Sequence, residues 1–141
     1  MSRNKNKDTA LEILIRKAIH AKGFRYKLHD KKLPGKPDLV FPKYKAVIFI
    51  NGCFWHGHGC SLFKWPATNE DFWKKKISGN QKRDLSNIQK LKSSGWKVLT
   101  VWECSTRGVH KIGLDASVEQ ISDWLQAGTS TLEITEKSTD D

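Results

Sequence analysis

The sequence predicts a single α/β domain: a mixed central sheet with helices on its faces. Three observations carry that prediction. Short apolar runs bounded by turn residues read as strands, while longer segments repeat apolar residues at helical spacing. The elements follow one another as α-β-β-β-α-β-α, an order that packs helices against a sheet. At 141 residues the chain is one domain by length, large enough for a real core.

Thr9 to Ala21 reads as the first helix. Leu11, Leu14, Ile15, Ala18 and Ile19 share one face, Thr9-x-x-Glu12 has capping-box spacing, and Gly23 ends the helix. Phe24, Tyr26 and Leu28 then alternate with Arg25, Lys27 and His29, as in a half-buried strand. The turn Leu33-Pro34-Gly35-Lys36-Pro37 delivers Asp38 to the head of the run Leu39-Val40-Phe41. A second turn over Pro42 to Lys45 leads into a central strand, Ala46 to Ile50. Asn69 to Ile77 reads as a short helix. Gln81 to Lys92 reads as a long one, with Leu85, Ile88 and Leu91 inward and Gly95 as its stop. Trp96 to Trp102 is a strand ending at Glu103-Cys104, and Val118, Ile121, Trp124 and Leu125 mark a last helix closed by Gly128. The domain is therefore placed at residues 1–128, and the polar acidic tail, 129–141, is expected to be disordered.

The formal net charge is +10. From Thr129 to Asp141 four acids face one base, so the 128 residues before the tail carry +13. Such an excess suits a polyanion partner, although a merely solubilising surface would have the same composition. No stretch approaches the roughly 18 apolar residues of a membrane span, and the N-terminus MSRNKNKD lacks an apolar signal core. Three cysteines are an odd number for a disulfide framework, which favours an intracellular protein with reduced thiols.

Chemistry concentrates in Asn51 to Cys60, NGCFWHGHGC, directly after the central strand. Cys53, His58 and Cys60 have the spacing C-x4-H-x-C, and Cys104 joins them if the Trp96 strand lies beside the Ala46 strand. Three thiolates and an imidazole are a full tetrahedral set for a structural zinc. The alternative is three buried, inert cysteines. Gly57 and Gly59 let closely spaced ligands converge. His56 is a general base, a fifth candidate ligand or a surface imidazole. Asp38 is a Mg²⁺ carboxylate or an ordinary turn aspartate, and Glu12 a capping residue or a second acidic member of a metal site. Phe54-Trp55 cannot both face a core within such a turn, and Phe72-Trp73 precedes Lys74-Lys75-Lys76. Aromatics beside basic runs are how proteins stack on bases or wedge between them.

Together these motifs resemble the very-short-patch-repair (Vsr) DNA mismatch endonucleases. The shared segments are DTxxE at Asp8 to Glu12, LPGKPD at Leu33 to Asp38, GCFWHxHxC at Gly52 to Cys60, PAT…FW at Pro66 to Trp73, Asn-x-x-Arg-Asp at Asn80 to Asp84, and VWEC at Val101 to Cys104. The resemblance implies a restriction-endonuclease-like fold and cleavage of one strand of double-stranded DNA 5′ to the T of a T·G mismatch, the product of 5-methylcytosine deamination. It implies that Asp38 and the Ile50 backbone carbonyl hold Mg²⁺, that His56 activates the attacking water, and that Glu12 supports the metal's water shell. Cys53, His58, Cys60 and Cys104 would hold Zn²⁺, and Phe54, Trp55 and Trp73 would wedge into the base stack. It also implies a monomer in the bacterial cytoplasm, with mismatch-repair proteins as partners and no membrane association. Two features depart from the family pattern. Ile50-Asn51 stands where Thr-His is expected, so Asn51 replaces a histidine near the cleaved phosphate with a side chain that cannot carry positive charge. The arm before Asp8 is also short. Two rival readings are a nickase of the same fold with other sequence specificity, and a zinc-containing module that binds DNA without cutting it.

Overall fold

The computed structural model describes residues 9–54 and 56–137. Its centre is a five-stranded sheet in the order β1-β2-β3-β4-β5, formed by Lys27–Leu28, Leu39–Phe41, Ala46–Asn51, Lys97–Trp102 and Leu132–Ile134. β1, β2 and β3 pair antiparallel, whereas β3–β4 and β4–β5 are parallel. The long helix α2 (Glu70–Ser93) makes the first parallel crossover and α3 (Leu114–Ala127) the second.

Side-chain alternation along the strands builds two cores. Leu39, Phe41, Ala46, Ile48, Leu99 and Val101 pack on one side with Ile15 and Ile19 of α1 (Ala10–Ala21) and with Ile121 and Leu125 of α3. Val40, Val47 and Val98 face the other side, under Leu91 of α2. Helix α1 starts at Thr9, whose hydroxyl accepts the Glu12 N–H at 3.2 Å. Leu14, expected on the inner face of α1, is exposed instead. Lys97 of β4 caps α3 by donating to the carbonyls of Trp124, Leu125 and Gly128 at 2.7–3.1 Å.

Three sequence expectations are corrected. The segment from Phe24 is not a strand throughout: only Lys27–Leu28 pairs with β2, while Phe24 packs on Tyr44 and Tyr26 on Phe41. The two helices expected around Gly79 are one helix of 24 residues. A single glycine costs a helix interior only about 1 kcal/mol, and Ile77 and Leu91, both buried, anchor the helix on either side of it. Leu85 lies six residues from Leu91, about 120° around the helix, and is 63% exposed. Part of the tail expected to be disordered is a strand. Leu132–Ile134 forms β5, because Ile134 is buried in the core and the strand adds its backbone to the edge of β4. Residues 138–141 lie outside the described residues.

Candidate active site and metal centre

The ends of β3 and β4 support a cysteine–histidine cluster. Because β3 and β4 pair in register, Asn51 opposite Trp102, the residues just past each strand meet: Cys53 from one and Cys104 from the other. The donor atoms of Cys53, His58, Cys60 and Cys104 all lie within 4.8 Å of one another. His58 Nδ1 is 3.6 Å from both Cys53 Sγ and Cys104 Sγ. A tetrahedral zinc with Zn–S of about 2.3 Å and Zn–N of about 2.05 Å separates sulfur from nitrogen by about 3.6 Å, so the donor set fits that ion. Burial pushes the Cys53 and Cys104 thiols up and His58 down. The imidazole stacks on Trp102, rings 4.1 Å apart and 5° from parallel.

The C-terminal segment completes the surroundings of this cluster. Thr135 Oγ1 lies 3.1 Å from Cys104 Sγ, and the Glu136 N–H donates to the same sulfur at 3.4 Å. The Glu136 carboxylate accepts from Ser61 N–H and Oγ–H at 3.1 and 2.5 Å, which holds its pKa below the usual range.

A second cluster forms where α1 meets β1, β2 and β3. Glu12 is 2% exposed, and its Oε2 lies 3.2 Å from Arg16 Nη1 and 2.6 Å from His29 Nε2. Asp38, at the head of β2, accepts the Ile50 N–H on Oδ2 at 2.7 Å. In an extended strand a residue's N–H and C=O point to the same side, so the Ile50 carbonyl faces the edge that carries Asp38. Burial raises the Asp38 pKa to about 6. The Glu12 charge adds to the rise, and the Ile50 hydrogen bond, His29 and His56 oppose it.

His56 is therefore near enough for its charge to act on Asp38. Its Nδ1 lies 2.5 Å from Asp84 Oδ2. An Nδ1–H donated to that carboxylate leaves Nε2 as the lone-pair nitrogen, the form a general base needs. Gly57 permits the approach of this loop to α2: its φ is +61°, and a Cβ would stand 2.5 Å from Ile77 Cγ2 and from Gln81 Nε2. Gln81 Nε2 donates to the Gly57 carbonyl at 3.0 Å.

Aromatic rings extend from this end of the sheet. Phe54 meets Trp73 edge-on at 5.3 Å and stacks on Phe63 at 5.9 Å. Phe63 meets Trp65 at 4.9 Å, with the Lys74 ammonium 5.9 Å from the Trp65 ring. Trp65 and Phe72 are 45% and 58% exposed, an unusual state for such large rings. Trp55 lies outside the described residues, as does Asp8.

The family model described as DNA mismatch endonuclease Vsr matches residues 1–62. The DNA mismatch endonuclease Vsr of Escherichia coli is 44% identical over 119 residues, which cover 84% of this chain and 76% of that protein. The chain belongs to the Vsr family. It is accordingly an endonuclease, a hydrolase of phosphodiester bonds. The Vsr relatives include the type II nicking enzyme V.NmeAIP of Neisseria meningitidis, 44% identical over 120 residues covering 84% of this chain and 86% of that protein. Another is the type II nicking enzyme V.XorIIP of Xanthomonas oryzae, 43% identical over 104 residues covering 74% and 76%.

The structure brings Glu12 close to Asp38, and Cys53, His58 and Cys60 close to Cys104, and it adds two partners that the sequence did not single out, His29 and Asp84. His29 looked like the polar side of an alternating strand. Asp84 carried a readable cue: it lies seven residues from both Ile77 and Leu91, two turns each way, on the buried face of α2.

Proposed function

We propose that this Vsr-family enzyme nicks one strand of duplex DNA 5′ to the T of a T·G mismatch, with Mg²⁺ at Asp38 and His56 as general base. The observation that carries the reading is that the half-buried Asp38 carboxylate, bound to the Ile50 N–H near the end of β3, and the His56–Asp84 pair, on the loop that follows β3, lie at one end of the sheet. His56 Nε2 takes a proton from the water that attacks phosphorus, while Asp84 holds the ring in orientation and stabilises the imidazolium that forms. Bound Mg²⁺ supplies positive charge to the phosphate and acidifies water. Asp38 and the Ile50 carbonyl would hold it, and Glu12 would order its surroundings. Asn51, at the end of β3, offers a hydrogen bond to the cleaved phosphate without a charge. Cys53, His58, Cys60 and Cys104 would hold a zinc, and four protein donors would leave no position for substrate, so that ion would be structural.

Phe54, Trp55 and Trp73 enter the base stack, where unstacking costs a few kcal/mol and least at a mismatch. The enzyme acts as a monomer in the bacterial cytoplasm, alongside mismatch-repair proteins. Among the described residues no helix is long and apolar enough to cross a membrane.

The test is a nicking assay with Mg²⁺ on duplexes that differ only in a T·G or T·A pair, in varied flanking sequence. Cleavage confined to T·G duplex and lost in Asp38→Ala and His56→Ala is the expected result. Tight binding without a nick in any context would refute it. A second reading, a nickase directed to another sequence context, is favoured by the relatives named as type II nicking enzymes. It predicts mismatch cleavage only within a short recognition sequence.

A further inference from the structure

His29 stands directly after β1 with a left-handed backbone, φ 48°. That conformation costs a non-glycine residue about 1–2 kcal/mol and persists where surrounding contacts over-determine it. Here the His29 N–H donates to the Asp38 carbonyl at 3.1 Å, and the turn directs the imidazole into the site rather than to solvent. The ring is 19% exposed, with Nε2 2.6 Å from Glu12 Oε2 and 4.0 Å from Asp38 Oδ1. Donor atoms of Glu12, His29 and Asp38 all lie within 4.8 Å of one another. Around an octahedral ion with bonds of about 2.1 Å, adjacent donors stand about 3.0 Å apart and opposite ones about 4.2 Å. The two His29 separations come within about 0.4 Å of those values, so a small outward shift of Glu12 lets both carboxylates and the imidazole reach one cation.

We infer that His29 Nε2 is a direct ligand of the cation bound at Asp38, and that this chain therefore binds Mn²⁺ in preference to Mg²⁺. The inference rests on the reading of Asp38 as a metal carboxylate. Its chemistry is simple: Mg²⁺ favours oxygen ligands and dehydrates reluctantly, whereas an imidazole nitrogen suits borderline divalent ions. A histidine that merely holds Glu12 by a hydrogen bond would leave the bound ion with no nitrogen ligand.

The test uses the full chain with its zinc retained, without DNA. Mn²⁺ and Mg²⁺ affinities are measured by calorimetry, and pulsed EPR on bound Mn²⁺ detects directly coordinated ¹⁴N. The expected result is Mn²⁺ binding about 10-fold or more tighter than Mg²⁺, with a nitrogen coupling that His29→Gln abolishes as the preference collapses. Zinc content and circular dichroism verify that the variant is folded. A nitrogen coupling that survives His29→Gln overturns the inference, as does bound Mn²⁺ with no nitrogen coupling in the parent, or no Mn²⁺ binding at millimolar concentration. The Asp38 reading fails separately: Mn²⁺ affinity unchanged in Asp38→Asn would sink it, whereas Mn²⁺ lost in Asp38→Asn but bound without nitrogen in the parent leaves it standing and removes only His29.

Discussion

Replacing Gly57 with alanine tests how the loop carrying His56 is seated. At φ +61° an alanine pays about 1–2 kcal/mol for the left-handed conformation. Its Cβ would also stand 2.5 Å from Ile77 Cγ2 and from Gln81 Nε2. The Gln81 amide can swing away, but Ile77 is buried and fixed on α2, so overpacking adds about 1–3 kcal/mol. The expected loss is roughly 2–5 kcal/mol, read from urea midpoints at constant slope. Nicking should fall beyond the loss of folded protein, since displacement of His56 from Asp84 by 1 Å costs on the order of 100-fold. Gly59 is the control: nothing lies within 4 Å of its Cβ position and its φ is not left-handed. Gly59→Ala should therefore match the parent or gain up to about 1 kcal/mol. Equal midpoints for the two variants would refute the reasoning.

Further outcomes follow from the same geometry. With no cation at Asp38, its carboxyl, raised from 3.8 to about 6, keeps a proton in the folded state that the unfolded chain has lost. Stability should then fall as pH rises from about 4 to about 6, by up to about 3 kcal/mol, and Asp38→Asn should flatten that slope in denaturation curves. Asp84→Asn should lower the nicking rate about 10- to 100-fold with DNA affinity retained in anisotropy titrations, because only the base is disoriented. Cys104→Ser should lose the bound zinc by elemental analysis and lower the thermal midpoint, as chelation should in the parent; a zinc-free chain of undiminished stability would contradict the structural role. Trp73→Ala should weaken binding to mismatched more than to paired duplex, and the affinity of both should fall steeply with salt.

The layered fold was legible because its apolar residues follow simple periods. Ile15 and Ile19 mark α1, and the apolar runs at 46–50 and 98–102, the second broken only by Thr100, mark strands covered on both faces. The soft donors were legible because spacing carries the information: Cys53, His58 and Cys60 are local, and Cys104 needed only the β3–β4 pairing. What stayed hidden depended on single backbone choices or on tertiary context. The left-handed turn at His29 reverses the direction that strand alternation assigns to its ring. β5 has one buried side chain, Ile134, in a polar segment, so its order comes from the β4 edge and from Ser61 and Cys104. Gly79 looked like punctuation because local propensity outweighs, in a short window, the anchoring at Ile77 and Leu91 that makes α2 continuous.

The continuity of α2 gives the molecule a clamped beam. Trp73, Gln81 and Asp84 ride on one helix that is held at two points, by Ile77 and by Leu91, both buried. At about 1.5 Å per residue the clamps stand about 21 Å apart with Asp84 midway between them, and Trp73 overhangs the outer clamp by about 6 Å. Whatever seats or unseats the ring of Trp73 therefore works against a span pinned on both sides of the carboxylate that aims His56.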